Sequence, residues 1–259
     1  AGEAPYLIQK EQHGNVVTYT YRCTGFPVSL WVDKQLELES ALNMLIADVK
    51  EGKDRRTVTL CCVPLEHAFD TAEWHDRYIH YNEDNLLLLG RGLTSDITIN
   101  IDKTPHILIG GNTGSGKTIL LQCLLWQAIE QADVVYVADF KGGVDFPRAW
   151  QEFAYIITNE QKLLVLLNRL ADTLEKRKQL FKEVEAANIT EYRQKAGDYM
   201  QRIVFACDEV AELLDRTGAD KERKELLAQI EARLALIARQ GRAFGVHLIL
   251  ATQRPDANI

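Results

Sequence analysis

Eight consecutive residues, Gly111-Asn112-Thr113-Gly114-Ser115-Gly116-Lys117-Thr118, fit the spacing Gly-x-x-x-x-Gly-Lys-[Ser/Thr] of a phosphate loop. Glycines let the backbone curl until successive N–H groups face one anion. A helix starting near Gly116 adds its positive dipole end. The Lys117 ammonium can reach β- and γ-phosphates, and the Thr118 hydroxyl can ligate Mg2+. Chance alone gives this spacing in roughly one chain of this length in a hundred. The surroundings favour chemistry over chance. Apolar Ile107-Leu108-Ile109 precedes the loop, and the leucine-rich stretch 119–129 follows it. Gly111, Asn112, Thr113, Gly114, Ser115, Gly116, Lys117, Thr118 and Ile119 are therefore the expected nucleotide-binding residues, with ATP and Mg2+ as ligands.

A second constellation is Arg202-Ile203-Val204-Phe205-Ala206-Cys207-Asp208-Glu209, an apolar strand ending in two acids. Two adjacent carboxylates at a buried strand end are costly unless a positive charge faces them. Nucleotide-bound Mg2+ would supply it, with Asp208 holding the ion and Glu209 polarising the attacking water. The plainer reading makes Asp208 a helix N-cap and Glu209 a first-turn acid; the upstream phosphate loop favours catalysis. Polar residues also follow two other apolar runs. Asp139-Phe140-Lys141 follows 134–138, either at the site or as a local ion pair. Thr252-Gln253-Arg254 follows 246–251, where Gln253 could sense the γ-phosphate or orient water. Arg239 and Arg242 lie in a stretch without acids, between Glu231 and Asp256. Arg242, like Arg239, is a candidate arginine finger for a neighbouring subunit's nucleotide, a contact to nucleic-acid phosphate, or a solvated helix-end cation.

Short apolar runs at 106–109, 134–138, 153–157, 203–207 and 246–251 lack polar alternation, as strands covered on both faces do. Helical stretches separate them, near 116–131, 160–187, 208–215 and 221–241. The expected fold is α/β, a P-loop NTPase with a mostly parallel sheet covered by helices, over residues 101–259. Residues 1–100 read as a small preceding α/β domain. Its expected strands are Val16–Tyr21, Thr57–Val63, Asn85–Leu89 and Ile97–Ile101. An amphipathic helix is expected over Asp33–Glu51, with Leu38, Leu42, Leu45, Ile46 and Val49 on one face. Pro64–Tyr81 reads as irregular, with Trp74 and Tyr78 as core plugs.

The 259 residues are 46% hydrophobic and 26% charged, which excludes a disordered or collagen-like chain. Five cysteines, an odd count in mostly apolar settings, fit reduced thiols in a cytosolic protein. His75 and His80 lack a third ligand and do not read as a metal site. No apolar run approaches the ~20 residues of a spanning helix. The expected location is cytoplasmic, with any membrane association through segments absent from this chain. The chain opens at Ala1 rather than Met, as a fragment or processed product does.

Leu88-Leu89-Gly90-Arg91-Gly92, Pro105–Gly111 running into the phosphate loop, the Asp208-Glu209 strand end, and Arg242–Pro255 together resemble the RecA-like motor domain of FtsK/SpoIIIE-type DNA translocases. Three separated motifs agree in order over about residues 85–259. Asp139-Phe140-Lys141-Gly142-Gly143 lacks the proline that chromosome-segregation members carry between Asp and Lys, and is closer to FtsK-like coupling proteins of Gram-positive conjugative elements. The resemblance implies a hexameric ATPase pushing double-stranded DNA through a ring channel, with relaxase and membrane channel proteins as partners. Family members continue past the position of Ile259. A net charge of −7 excludes a broad electrostatic DNA binder, so DNA contact would fall to a lined channel. Arg169, Lys176, Arg177, Lys178 and Lys182 are candidates, against the plainer reading of a solvated helix face. Rival readings are a type VII secretion-like ATPase moving proteins and a nucleotide-switched docking module.

Overall fold

The computed structural model describes residues 4–67, 73–81 and 85–254. Residues 68–72 of the expected irregular stretch, and 255–259 of the C-terminal motif, lie outside them. The chain divides into two compact units, Ala1–His75 with Gly90–Ile97, and Asp76–Leu89 with Thr98–Ile259.

In the first unit, β1 (Tyr6–His13), β2 (Val16–Arg22), β3 (Met44–Glu51) and β4 (Thr57–Pro64) form an antiparallel sheet ordered β1-β2-β4-β3, with α1 (Val28–Asp33) and α2 (Gln35–Leu42) between β2 and β3. Strand β1 was not legible because all eight of its residues are exposed. Its ladder to β2 holds it, not a buried face. The expected helix over Asp33–Glu51 is corrected. Asn43 adopts φ 51°, and its N–H closes α2 on the Glu39 carbonyl. Met44–Glu51 is then a strand. Leu38, Leu42 and Val49 pack on one core together with buried Ile46. Their helical spacing therefore arises from a helix and a strand facing the same interior. Glu39 also accepts from the Ile46 N–H at 2.9 Å, fastening the turn.

Strands β5 (Leu86–Arg91) and β6 (Asp96–Asn100) form a two-stranded sheet. The second unit then runs β7 (His106–Gly110), α3 (Lys117–Glu130), β8 (Val134–Ala138), β9 (Tyr155–Ile157), α4 (Glu160–Glu183), α5 (Ile189–Ala196), β10 (Ile203–Cys207), α6 (Val210–Leu214), α7 (Lys221–Gln240) and β11 (Val246–Thr252). Its sheet is ordered β7-β11-β10-β8-β9, and every pair is parallel. The expected α/β fold with a parallel sheet is the one observed. Strand β10 is buried throughout. Ile203, Phe205 and Cys207 join one core with α4, α6 and α7, while Val204 and Ala206 join another with α3. The period-2 alternation thus feeds two helix layers, and the carboxyl ends of all five strands lie along one edge.

Three further readings change. The helix expected to 187 stops at Glu183, and α5 begins separately where the Asn188 side chain caps the Glu191 N–H at 2.9 Å. Arg177 is buried, not solvated or free to line a channel. It donates to the carbonyls of Phe244 (2.5 Å), Gly245 (3.3 Å) and Gln201 (2.6 Å), and burial lowers its pKa to about 10. Trp74 and Tyr78 are half-buried, and their neighbour Ile79 is the buried residue. All described cysteines are free thiols.

Gly241 joins α7 to the turn before β11. A Cβ there would stand 2.1 Å from the Val246 carbonyl oxygen and 2.7 Å from that of Ile237. Both obstacles are backbone, so Gly241→Ala is expected to destabilise the chain by roughly 2–3 kcal/mol, read as a lowered urea midpoint with an unchanged m-value.

Candidate functional site

Strand β7 ends at Gly110, and the chain turns through Gly111–Gly116 into α3. Gly114 and Gly116 hold φ of 78° and 90°, left-handed values that favour glycine. The Gly111 N–H donates to the Thr252 carbonyl at 3.3 Å, tying the loop to the end of β11. The first N–H groups of α3 have no acceptor within their own helix, and a positive dipole end faces the loop. Lys117 folds back over the loop, its Nζ donating to the Asn112 carbonyl at 3.1 Å. Ile119 follows in the first turn of α3 with an exposed side chain.

Asp208 meets the first turn of α3, and Glu209 meets the end of β11. Thr118 Oγ1 donates to Asp208 Oδ1 at 3.0 Å. Glu209 Oε1 accepts from Thr252 Oγ1 at 2.8 Å, and both its carboxylate oxygens lie 3.1 Å from the Gln253 N–H. The Gln253 side chain in turn accepts from Thr113 Oγ1 at 3.0 Å. A continuous hydrogen-bonded path therefore runs from the glycine turn through Thr113 and Gln253 to Glu209. Asp208 is buried and Glu209 half-buried. Cys207, immediately before them, has its thiol pushed up to about 12 by burial, so it is inert as a nucleophile.

The charge that the buried Asp208 demands comes from Lys141, whose Nζ lies 2.5 Å from Asp208 Oδ2 and 3.5 Å from Asp145 Oδ2. Burial works against the Lys141 ammonium, but its hydrogen bond to Asp208 and the charges of Asp208 and Asp145 outweigh that and hold its pKa above the ordinary lysine value. The local Asp139–Lys141 ion pair considered from sequence is not what forms. Asp139 Oδ1 accepts instead from the Lys141 backbone N–H at 2.9 Å. Sequence reasoning placed Lys141 at the correct strand end and missed its partner, which lies 67 residues away. A cleft of about 220 Å³ opens beside these groups, lined by Asp139, Lys141, Asp208, Glu209 and, at its rim, the Glu160–Arg223 ion pair.

Arg242 stands apart from the loop. It precedes β11 at the amino ends of the strands, and its Nε donates to the Asp102 carbonyl at 3.2 Å. The seven residues of β11 separate it from Gln253 by about 20 Å. Arg239 is exposed near the end of α7.

The FtsK/SpoIIIE family model matches residues 65–257. The chain belongs to the FtsK/SpoIIIE family. It is 30% identical over 187 residues to the DNA translocase FtsK of Helicobacter pylori strain J99, covering 67% of this chain and 21% of that protein. With FtsK of Haemophilus influenzae it shares 26% identity over 235 residues, 76% of this chain and 41% of that one. The chain thus spans well under half the length of these relatives. Among solved structures, the pCW3 conjugation coupling protein TcpA, in monomer form with ATPγS, is 32% identical. Its TM-score is 0.73, covering 99% of this chain and 73% of that one. The cytoplasmic domain of the type VII secretion ATPase EccC from Thermomonospora curvata matches with 26% identity and TM-score 0.52, over 72% of this chain and 25% of that one. No helix among the described residues is long and apolar enough to cross a membrane.

Proposed function

We propose that this chain is an ATP-hydrolysing motor module of a DNA translocase, of the conjugation coupling type. The observation that carries this is the union of the glycine turn with both β10 acids, through Thr118–Asp208 and through Thr113–Gln253–Glu209. The ATPγS-bound TcpA relative supports nucleotide as the ligand. The backbone amides of 111–119 and the Lys117 ammonium bind the triphosphate. Thr118 and Asp208 suit Mg2+. Both offer hard oxygen donors, and their 3.0 Å separation matches the ~2.9 Å between adjacent ligands of an octahedral ion with 2.0–2.1 Å bonds. Bound there, the metal would neutralise phosphate charge. Glu209 accepts the proton of the attacking water. Its anchoring by Thr252 and Gln253 fixes where that base stands, and Gln253, also bonded to Thr113, reports phosphate occupancy to the end of β11.

Arg242, at the far end of the sheet, would reach only a triphosphate held by a neighbouring copy, consistent with a ring, most simply a hexamer. The larger unit, Asp76–Leu89 with Thr98–Ile259, reads as this motor, and the smaller one, Ala1–His75 with Gly90–Ile97, as accessory to it. Relaxase and channel proteins are the partners such a ring would serve.

Lys117→Ala is expected to weaken ATP binding at least tenfold, because the ammonium is lost from the phosphates; calorimetric titration reads it. The function itself is tested by steady-state ATPase rate with and without double-stranded DNA. Stimulation by DNA supports the translocase. The EccC likeness favours one alternative, a motor that moves proteins. Stimulation by a secreted peptide with no response to DNA would establish that instead.

A further inference from the structure

Lys141 occupies the carboxylate that the metal is expected to use. Its ammonium sits 2.5 Å from Asp208 Oδ2 while Thr118 holds Oδ1 at 3.0 Å. Two cations cannot both neutralise one buried carboxylate at full strength, since a like charge at close range is repelled strongly in a partly desolvated site. A second seat for the ammonium already exists. Asp145 Oδ2 is 3.5 Å away, and Asp145 is fixed in place because Gln122 of α3 donates to its carbonyl at 2.5 Å. A third acceptor, Asp139 Oδ2, is buried and has no hydrogen-bond partner.

The segment carrying Lys141 is anchored at both ends and open between them. Asp139 anchors one end, its N–H bonded to the Ile157 carbonyl at 2.9 Å. At the other end Phe146 is buried, and its ring meets Trp150 at 5.3 Å. Between the anchors, Gly142 and Gly143 hold φ of 79° and 82°, and Val144 is 79% exposed. We propose that Lys141 is a resident counter-ion for Asp208 that the arriving metal must displace, and that Asp145 takes up its ammonium when it leaves. Lys141 is thus a positioning residue. It keeps Asp208 neutralised before nucleotide arrives, sets the metal concentration the site needs, and passes metal occupancy to the largely exposed 141–144 segment. This rests on the nucleotide and metal reading above.

The test titrates MgCl2 against the protein with ATPγS and records the Mg2+ midpoint at which nucleotide affinity rises above its value in EDTA. Lys141→Met is expected to lower that midpoint about tenfold or more, because the competing cation is gone. Lys141→Arg should stay near wild type. Asp145→Asn, a half-buried loop position whose replacement leaves the core untouched, is expected to raise the midpoint, since Lys141 then has one seat fewer. Without nucleotide, Lys141→Met is expected to lower the melting temperature, and Lys141→Met with Asp208→Asn to recover it. An unchanged or higher midpoint in a Lys141→Met protein that still binds ATPγS overturns this inference alone, as does a lower midpoint in Asp145→Asn. Absence of ATPγS binding by the wild type overturns the nucleotide reading, and this inference with it.

Discussion

Glu209→Gln is expected to bind ATP with wild-type affinity and to hydrolyse it about 10²–10⁴-fold more slowly, the usual contribution of a positioned general base. The amide keeps the size of the side chain, and its oxygen can still accept from Thr252 and from the Gln253 N–H, the two contacts that fix the carboxylate now. What it loses is the capacity to take a proton from water. Single-turnover hydrolysis beside nucleotide titration separates the two effects. A variant that hydrolyses at the wild-type rate would remove Glu209 from the mechanism. One that loses binding and turnover together would make the residue a structural support.

The second large effect lies at the opposite edge of the sheet. Asp133 and Arg202 precede the neighbouring strands β8 and β10. Their side chains are 1% exposed and meet at 3.0 Å. Arg202 Nη2 also reaches Gln131 at 3.4 Å, and the Val134 N–H donates to the Arg202 carbonyl at 2.9 Å. Removing the acid leaves a guanidinium desolvated without its counter-charge. Asp133→Ala is therefore expected to cost about 3–5 kcal/mol, a large share of the 5–15 kcal/mol that holds a typical domain together. Urea denaturation measures it. The exposed Arg223–Glu160 pair provides the contrast, since its side chains are 46% and 20% exposed. Arg223→Ala should cost far less, because solvent screens an exposed pair. Equal losses in the two variants would mean that burial does not set the strength of these pairs.

What was legible in the chain follows from how local each constraint is. The phosphate-loop pattern is contiguous, its glycines and lysine suited to one anion and its threonine to the anion's metal, so eight residues suffice to read it. The apolar runs of the parallel strands were equally plain, because burial on both faces leaves no polar interruption. The β10 acids could be paired with the loop because parallel strands deliver their carboxyl ends to one edge. Lys141 was half legible. Its strand end was known, but the choice between Asp139 and Asp208 depends on the spacing of β8 and β10, which no local pattern encodes. Arg177 failed for a related reason. A basic residue on a charged helix reads as solvated, and only tertiary packing reveals three backbone carbonyls converging on it. The Asp33–Glu51 stretch misled because a helix and a strand both turned leucine, isoleucine and valine toward one core. The break lay in Asn43, a residue that adopts left-handed φ more readily than most.

Hydrolysis at this site requires a triphosphate lying between the glycine turn and Glu209. A structure determined with Mg2+ and ATPγS tests that directly. The expected result is a triphosphate wrapped by residues 111–119, with the Glu209 carboxylate one water molecule from the γ-phosphorus. A nucleotide bound elsewhere, or in the loop with Glu209 shut off from the γ-phosphate by intervening protein, would contradict it.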